Sequence, residues 1–192
     1  MGSLDAPFNP VSLAIGAEAS FVARTVDSDR KHLTDVLRQA AAHPGTALVE
    51  IYQNCNIFND GAFEVLKDKQ QAEEAVIRLE HGKQIRFGAD AAKGVVRDPL
   101  TGDLKVVTVT PENEARILVH DAHSASPTTA FALSRLADPD TLHHTPIGVF
   151  RAAERPVYDA QMSEQLDTAI EQNGKGDLAA LLAGGDTWTV VG

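Results

Sequence analysis

Apolar positions along the chain fall into two kinds of spacing. Phe21-Val22-Ala23-Arg24-Thr25-Val26 is rich in β-branched residues, and Ala47-Leu48-Val49-Glu50-Ile51-Tyr52 is nearly continuous in apolar character. Both runs predict strands. Between them Leu33, Val36, Leu37, Ala40 and Ala41 recur at i, i+3, i+4, i+7, i+8 spacing and predict one face of a helix. Asp27 is placed to cap that helix, and His43-Pro44-Gly45 to end it. Strand, helix and strand over 21–52 make a βαβ unit, which implies parallel strands joined by a right-handed crossover. Ahead of it, Pro10 suits the first turn of a short helix through Val11, Leu13, Ala14 and Ala17.

After Gly61 the spacing changes. Ala72, Ala75, Val76 and Leu79 share a helical face, so a helix is expected over 70–81. Gly94 to Val109 has the pattern of a hairpin, with Asp98-Pro99-Leu100-Thr101-Gly102-Asp103 as its turn. Ser126 and Pro127 suit the N-cap and first position of a helix reaching Leu136, and Thr145 to Arg151 is extended in character. Tyr158, Met162, Leu166, Ala169 and Ile170 line a second long helix. Asp177 to Ala183 predicts a last short one, closed by Gly184-Gly185 as a C-cap.

Only two parallel strands are predicted ahead of Cys55, whereas an open parallel sheet usually has more, with helices on both faces. The N-terminal part therefore has the character of the end of a larger α/β domain. The fold class expected is α/β: the closing portion of a parallel-sheet domain over 1–61, then an α+β extension with a hairpin over 62–192.

Composition narrows the function. Asp and Glu total 27 against 17 Lys and Arg, a net charge of -10. Coulomb repulsion then replaces counterion release, which disfavours nucleic acid as a partner. No apolar run approaches the roughly 18 residues of a membrane helix, so no membrane is expected as a partner. Met1 to Pro10 lacks the basic-then-apolar order of a signal peptide. With one cysteine, an internal disulfide framework is excluded. These features point to the cytoplasm.

That cysteine is the first candidate for chemistry. Strand 47–52 runs directly into Gln53-Asn54-Cys55-Asn56-Ile57-Phe58-Asn59-Asp60-Gly61, so Cys55 falls at the carboxyl end of a strand, where α/β sheets gather ligands. Its polar, turn-forming neighbours argue against a purely buried thiol. A thiolate there could meet several N–H donors and act as a nucleophile or a metal ligand. One cysteine cannot close a four-sulfur site. His120 and His123, and the adjacent His143 and His144, lack a ligand pattern, and His120 and His123 in a loop are expected on a solvated surface. Glu112 and Glu114 suit a turn or a helix start. There is no G-x-G-x-x-G after a strand, no Walker A loop, no G-x-S-x-G elbow and no H-E-x-x-H.

The segment from Ala47 to Gly61 resembles the beta subunit of 2-oxoacid:ferredoxin oxidoreductases, especially the 2-oxoglutarate type. Gly2-Ser3-Leu4, Pro7-Phe8-Asn9-Pro10 and Ala17 to Arg24 are similar to the part that follows the thiamine-diphosphate site. Thr145 to Arg151 and Arg155-Pro156-Val157-Tyr158 are similar to the family's C-terminal extension. The resemblance implies that 1–61 ends a thiamine-diphosphate-binding domain and that 62–192 is the subunit's extension. It implies that Cys55 is the last of four cysteine ligands to a 4Fe–4S cluster; Asn54 and Asn56, by their adjacency to it, are expected as neighbouring donors. The other three cysteines, and the Gly-Asp-Gly motif that holds Mg2+ and diphosphate, belong to a part of the family's subunit with no counterpart here. Met1 accordingly looks like a methionine internal to a longer subunit. The reaction implied is oxidative decarboxylation of a 2-oxoacid to an acyl-CoA, with electrons leaving through the cluster to ferredoxin. The partners implied are an alpha subunit, ferredoxin, coenzyme A and the 2-oxoacid, and the chain alone is expected to be inactive. Two other readings stand beside it: a non-enzymatic acidic interaction domain, and an enzyme with Cys55 as nucleophile and a histidine as base.

Overall fold

In the computed structural model, which describes residues 4–5, 7–185, 188–190 and 192, the two predicted strands form with the predicted bounds. Strand β1 is Phe21–Val26 and β2 is Ala47–Tyr52, paired in parallel from Phe21 against Ala47 to Val26 against Tyr52. Helix α1, Pro10–Gly16, precedes them, with Asn9 accepting from the Ser12 N–H at its start and proline in its first turn. Met1, Gly2 and Ser3, on which part of the family resemblance falls, lie outside the described residues.

The crossover is helix α2, Arg30–Ala42. Its N-cap is Asp29, not Asp27: the Asp29 side chain accepts from the His32 N–H, while the Asp27 N–H continues the sheet by donating to the Tyr52 carbonyl at 3.0 Å. The ladder thus reaches past Val26 and delays the helix by two residues. Of the predicted face only Val36 is fully buried, and Leu37 is exposed. The helix packs on β1 and β2, with Val36 in one core cluster with Phe21, Ala23 and Val149.

Beyond the Cys55 loop come helices α3, Glu64–Lys67, and α4, Lys69–Ala75. The helix expected over 70–81 stops at Ala75, and Val76–Leu79 is strand β3. The physical reason is tertiary. Val76 and Ile77 are β-branched, and sheet pairing buries Ile77 completely. Short strand β4 (Arg86–Phe87), β5 (Lys93–Arg97) and β6 (Leu104–Thr108) follow as an antiparallel sheet, in which β5 and β6 are the predicted hairpin. Asp98 organises the hairpin turn by accepting from the Leu100 and Thr101 N–H groups. The Lys105 ammonium, hydrogen-bonded to Asp98, brings the Asp98 carboxyl to about 2. Helix α5 is Thr128–Ser134; Pro127 takes the cap position and Ser126 stands outside it, so the helix is shorter than predicted at both ends.

Strand β7, Thr145–Ala152, corrects the expected topology. The main sheet has the order β2-β1-β7-β3. β7 runs antiparallel to β1 and parallel to β3, so the sheet is mixed, not parallel. Two of its four strands come from beyond residue 61, so the segments on either side of that residue share one core. Val22, Ile77, Phe150, Leu133 and Ile15 pack on one face, and Phe21, Ala23, Val36 and Val149 on the other. β2 ends the sheet with an outer edge that has no partner strand among the described residues.

The chain divides into two compact units, Met1–Arg155 and Pro156–Gly192. The second holds helix α6, Tyr158–Asn173, and helix α7, Leu178–Ala183, which Asp177 caps and Gly184 ends as predicted. The predicted apolar face of α6 is real in spacing, but Tyr158, Leu166 and Ile170 on it are exposed.

Candidate functional site

The site is built at the carboxyl end of β2. The loop leaving that strand is closed at its base by two aromatic rings: Tyr52 stacks on Phe63 with centroids 4.7 Å apart. Tyr52 is held in turn by Arg24, whose guanidinium lies 5.1 Å from its ring centre and 5.4 Å from that of Phe150. Arg24 is buried in β1, and its Nε donates to Glu50 at 2.6 Å. A buried guanidinium needs such a partner, because desolvation without one costs several kcal/mol, on the order of 3–5. Neither Arg24 nor the Tyr52–Phe63 stack was singled out from sequence. Tyr52 and Phe63 are eleven positions apart, and no periodicity links them.

Inside that base the loop folds back on itself. The Asn59 N–H donates to the Cys55 carbonyl at 3.0 Å, and the two residues form an isolated antiparallel bridge. Cys55 is exposed. Hydrogen bonds from the backbone N–H groups of Phe58 and Ile57, with a further one from Asn59, hold its thiol below the usual range, and Asp60 opposes them. Several N–H donors at the sulfur were expected from the sequence. Asn54, expected as a donor beside the sulfur, donates through its Nδ2 to Asn56 and Asp60 and accepts from the Gly61 N–H. Ile57 and Phe58, at 85% and 90% exposure, stand beside the thiol as an open apolar pair.

A sulfur that is open on one side and receives N–H groups on the other suits a ligand of an iron–sulfur cluster, because both features set cluster potentials. The fit extends to one ligand only. Among the described residues no group of three or more His, Cys, Asp and Glu side chains is arranged to hold a metal ion. The groups acting on the sulfur include no histidine. His43, the histidine closest in sequence, bonds Ser20 at 2.9 Å at the other end of β2. A cysteine–histidine nucleophile is therefore not assembled among these residues.

The other histidines divide. His120, expected on a solvated surface, is 1% exposed, and its Nε2 bonds the Val149 carbonyl at 2.8 Å. Sequence gave no sign of this, since His120 sits in a loop that only the tertiary fold lays over β7. His123 is exposed as expected, His143 is exposed, and His144 is half-buried. Glu114 opens a turn of 3₁₀ helix and pairs with Arg86 at 2.6 Å. A groove of about 650 Å3 is lined by Lys67, Lys69, Arg78, Lys83 and Arg86; Lys67, Arg78, Lys83 and Arg86 face Asp27, Asp29, Glu80 and Glu114.

Burial pushes the His120 pKa below its ordinary 6.5, with neighbouring His81 and His123 in the same direction; the Val149 carbonyl and Asp121 oppose them. The unfolded chain then binds the proton more readily, so this contribution to stability is complete above about 6.5 and is lost as pH falls toward the folded value. Urea midpoints are expected to drop between pH 7.5 and 5.5, and by less in His120→Gln. An equal drop in both proteins would refute the assignment.

No family model matches the chain. The 2-oxoglutarate oxidoreductase subunit KorB of Mycobacterium tuberculosis is 52% identical over 192 residues, which cover 99% of this chain and 50% of the relative. The 2-oxoacid:ferredoxin oxidoreductase subunit beta of Saccharolobus solfataricus is 36% identical over 58 residues, 30% of this chain and 19% of the relative. Among solved structures, a 2-oxoglutarate:ferredoxin oxidoreductase from Magnetococcus marinus with 2-oxoglutarate, coenzyme A and succinyl-CoA bound superposes with a TM-score of 0.53. At 17% identity, over 93% of this chain and 43% of that one, it shows a shared fold. The chain thus spans about half the length of the relative it matches end to end. No helix among the described residues is long and apolar enough to cross a membrane. The chain is homologous, over 99% of its length, to the 2-oxoglutarate oxidoreductase subunit KorB.

Proposed function

We propose that this chain serves as part of the beta subunit of a cytoplasmic 2-oxoglutarate:ferredoxin oxidoreductase, in which Cys55 contributes one of four thiolates to a 4Fe–4S cluster. The whole assembly decarboxylates a 2-oxoacid oxidatively to its acyl-CoA and passes the electrons to ferredoxin. The chain works only with the remainder of the subunit and an alpha subunit. In this reading residue 61 marks where the thiamine-diphosphate-binding part ends and the extension, 62–192, begins. When bound, thiamine diphosphate supplies the electron sink for decarboxylation and the cluster supplies one-electron transfer.

This chain's own residues have three tasks. The Cys55 sulfur binds one iron. The N–H groups of Phe58 and Ile57 spread the negative charge of that sulfur. Ile57 and Phe58 cover the cluster's flank and exclude water when the rest of the subunit packs on them. Among the described residues no group of three or more His, Cys, Asp and Glu side chains is arranged to hold Mg2+, and Mg2+ and the diphosphate are assigned to the remainder of the subunit.

The observation that carries this reading is the presentation of Cys55: an exposed thiol in the loop that leaves the carboxyl end of β2 and folds back through the Asn59 N–H to the Cys55 carbonyl. The test is to co-express the chain with the rest of the subunit and the alpha subunit and to assay iron and acid-labile sulfide. Four irons per assembled subunit are expected in excess of any cluster held elsewhere. An assembled complex lacking them would overturn the reading.

A further inference from the structure

Residues 120–123 lie between β7 and the turn that follows β3, and three histidine rings fix them there. His120 is 1% exposed, and its Nε2 bonds the Val149 carbonyl at 2.8 Å. A carbonyl only accepts, so the neutral ring carries its proton on Nε2 and leaves Nδ1 as a bare lone pair. That buried Nδ1 has no hydrogen-bond partner among the described residues. His123 Nδ1 bonds the Ala152 carbonyl at 2.8 Å and, for the same reason, carries its proton on Nδ1. His81 has the opposite role: its Nδ1 accepts from the Ala122 N–H at 3.3 Å. The backbone completes the attachment. The Ala152 N–H donates to the Ala122 carbonyl at 2.6 Å, the Gly82 N–H to the His120 carbonyl at 2.8 Å, and the His120 N–H to the Lys83 carbonyl at 2.9 Å. Ala122 is buried in one cluster with Phe21, Ala23, Val36 and Val149.

This arrangement suits neutral rings. A proton on His120 Nδ1 would be a buried charge without an acceptor, which burial strongly disfavours. The His81 and His123 rings stand with centres 4.5 Å apart, and protons on them repel one on His120. Asp121 attracts, but its Oδ1 lies 3.5 Å from His81 Nδ1. A proton on that nitrogen forfeits the bond from Ala122 and turns His81 toward Asp121. The other charged groups nearby are engaged elsewhere: Lys83 with Glu80, and Arg151 on β7 with Glu18 and the Ala125 carbonyl. On the α2 side of the cluster, His43 bonds Ser20.

We propose that residues 120–123 form an acid-released latch on β7: neutral His120 anchors the segment to the Val149 carbonyl, and a proton taken from solvent at His120 Nδ1 frees the segment ahead of the rest of the fold, uncovering the sheet face that holds Phe21, Ala23 and Val149. The latch is independent of the reading of Cys55. It places the acid response of His120 in one segment, where a loss of overall stability alone would spread it over the whole chain.

The test is amide exchange of the full chain, followed by NMR at pH 7.5 and 5.5 and corrected for the intrinsic rate at each pH. A ring that stays neutral in the closed latch and has its ordinary 6.5 in the open one makes opening at most about tenfold easier over that interval. Protection at Gly82, Ala122 and Ala152 is therefore expected to fall by more than about twofold and up to about tenfold. Protection at Leu33 and Val109, bonded to the Asp29 and Ala92 carbonyls, is expected to hold. His120→Gln keeps a donor for the Val149 carbonyl and takes up no proton, so its fall at the three reporters is expected to stay under about twofold. Should that variant not fold, wild type still decides: side-chain 15N shifts at pH 7.5 are expected to place the His120 proton on Nε2 and the His123 proton on Nδ1. Equal falls at the reporters and at Leu33 and Val109 would make the response global and overturn the latch. So would a flat wild-type response, an undiminished fall in His120→Gln, or a His120 proton found on Nδ1.

Discussion

Cys55→Ala is expected to leave the assembled complex without the cluster that this chain helps to hold. A cluster iron that loses one of four thiolates has no other sulfur in this chain to replace it, because Cys55 is the sole cysteine. Loss of a hydrogen-bonding partner around a ligand typically costs 10–100-fold, so loss of the ligand itself is expected to lower ferredoxin-linked turnover by at least about 100-fold. The isolated chain should not notice the change. The thiol is exposed and outside every core cluster, so stability is expected to move by no more than about 0.5 kcal/mol. The measurement is iron content and turnover of the complex beside a urea titration of the chain alone. A variant complex that keeps full iron content and turnover would remove Cys55 from the site. A large loss of stability in the chain would instead make the cysteine structural.

Gly148→Ala carries the second large effect, and it bears on the fold. Gly148 lies in the centre of the mixed sheet, opposite Arg24 on β1 and Leu79 on β3. Its φ is +117°, outside what a side chain accepts comfortably. An added Cβ would stand 2.7 Å from the Leu79 carbonyl oxygen, a backbone atom that cannot swing aside. Beside it, the pairing of β1 and β7 slips by one residue between Val22 and Ala23, so β7 bulges here. Strain of about 1–3 kcal/mol from the backbone and a similar amount from overpacking add to a loss of roughly 2–6 kcal/mol. Urea unfolding of the chain should show the midpoint falling accordingly, while Gly82→Ala, at φ +77° but with open space around it, should cost less. Equal losses at the two positions would mean that crowding against β3 contributes nothing.

Much of the fold could be seen in the order of residues. β1, α2, β2, the 93–108 hairpin and α6 all follow local spacing, and each appears where the periodicity placed it. The site was legible for the same reason. A strand running straight into a polar turn with one cysteine can be read from neighbours in the chain alone. Asp27 and the 70–81 helix were misread because each depends on a partner far away. The β2 ladder reaches Asp27 through the Tyr52 carbonyl, and β7 takes Val76–Leu79 from the helix that its spacing allowed.

Sequence by itself determined the local periods, the capping of α1 and α7, the turn of the hairpin and the place of Cys55. These depend on contacts within a few residues, where backbone sterics and side-chain spacing act directly. Only the tertiary structure decided that the sheet is mixed, that Gly148 must lack a side chain, and that His120 is buried. Each of those depends on which distant segments meet, and strand pairing alone does not write that choice into the hydrophobic pattern: β7 presents the same apolar run whether it lies parallel or antiparallel to β1.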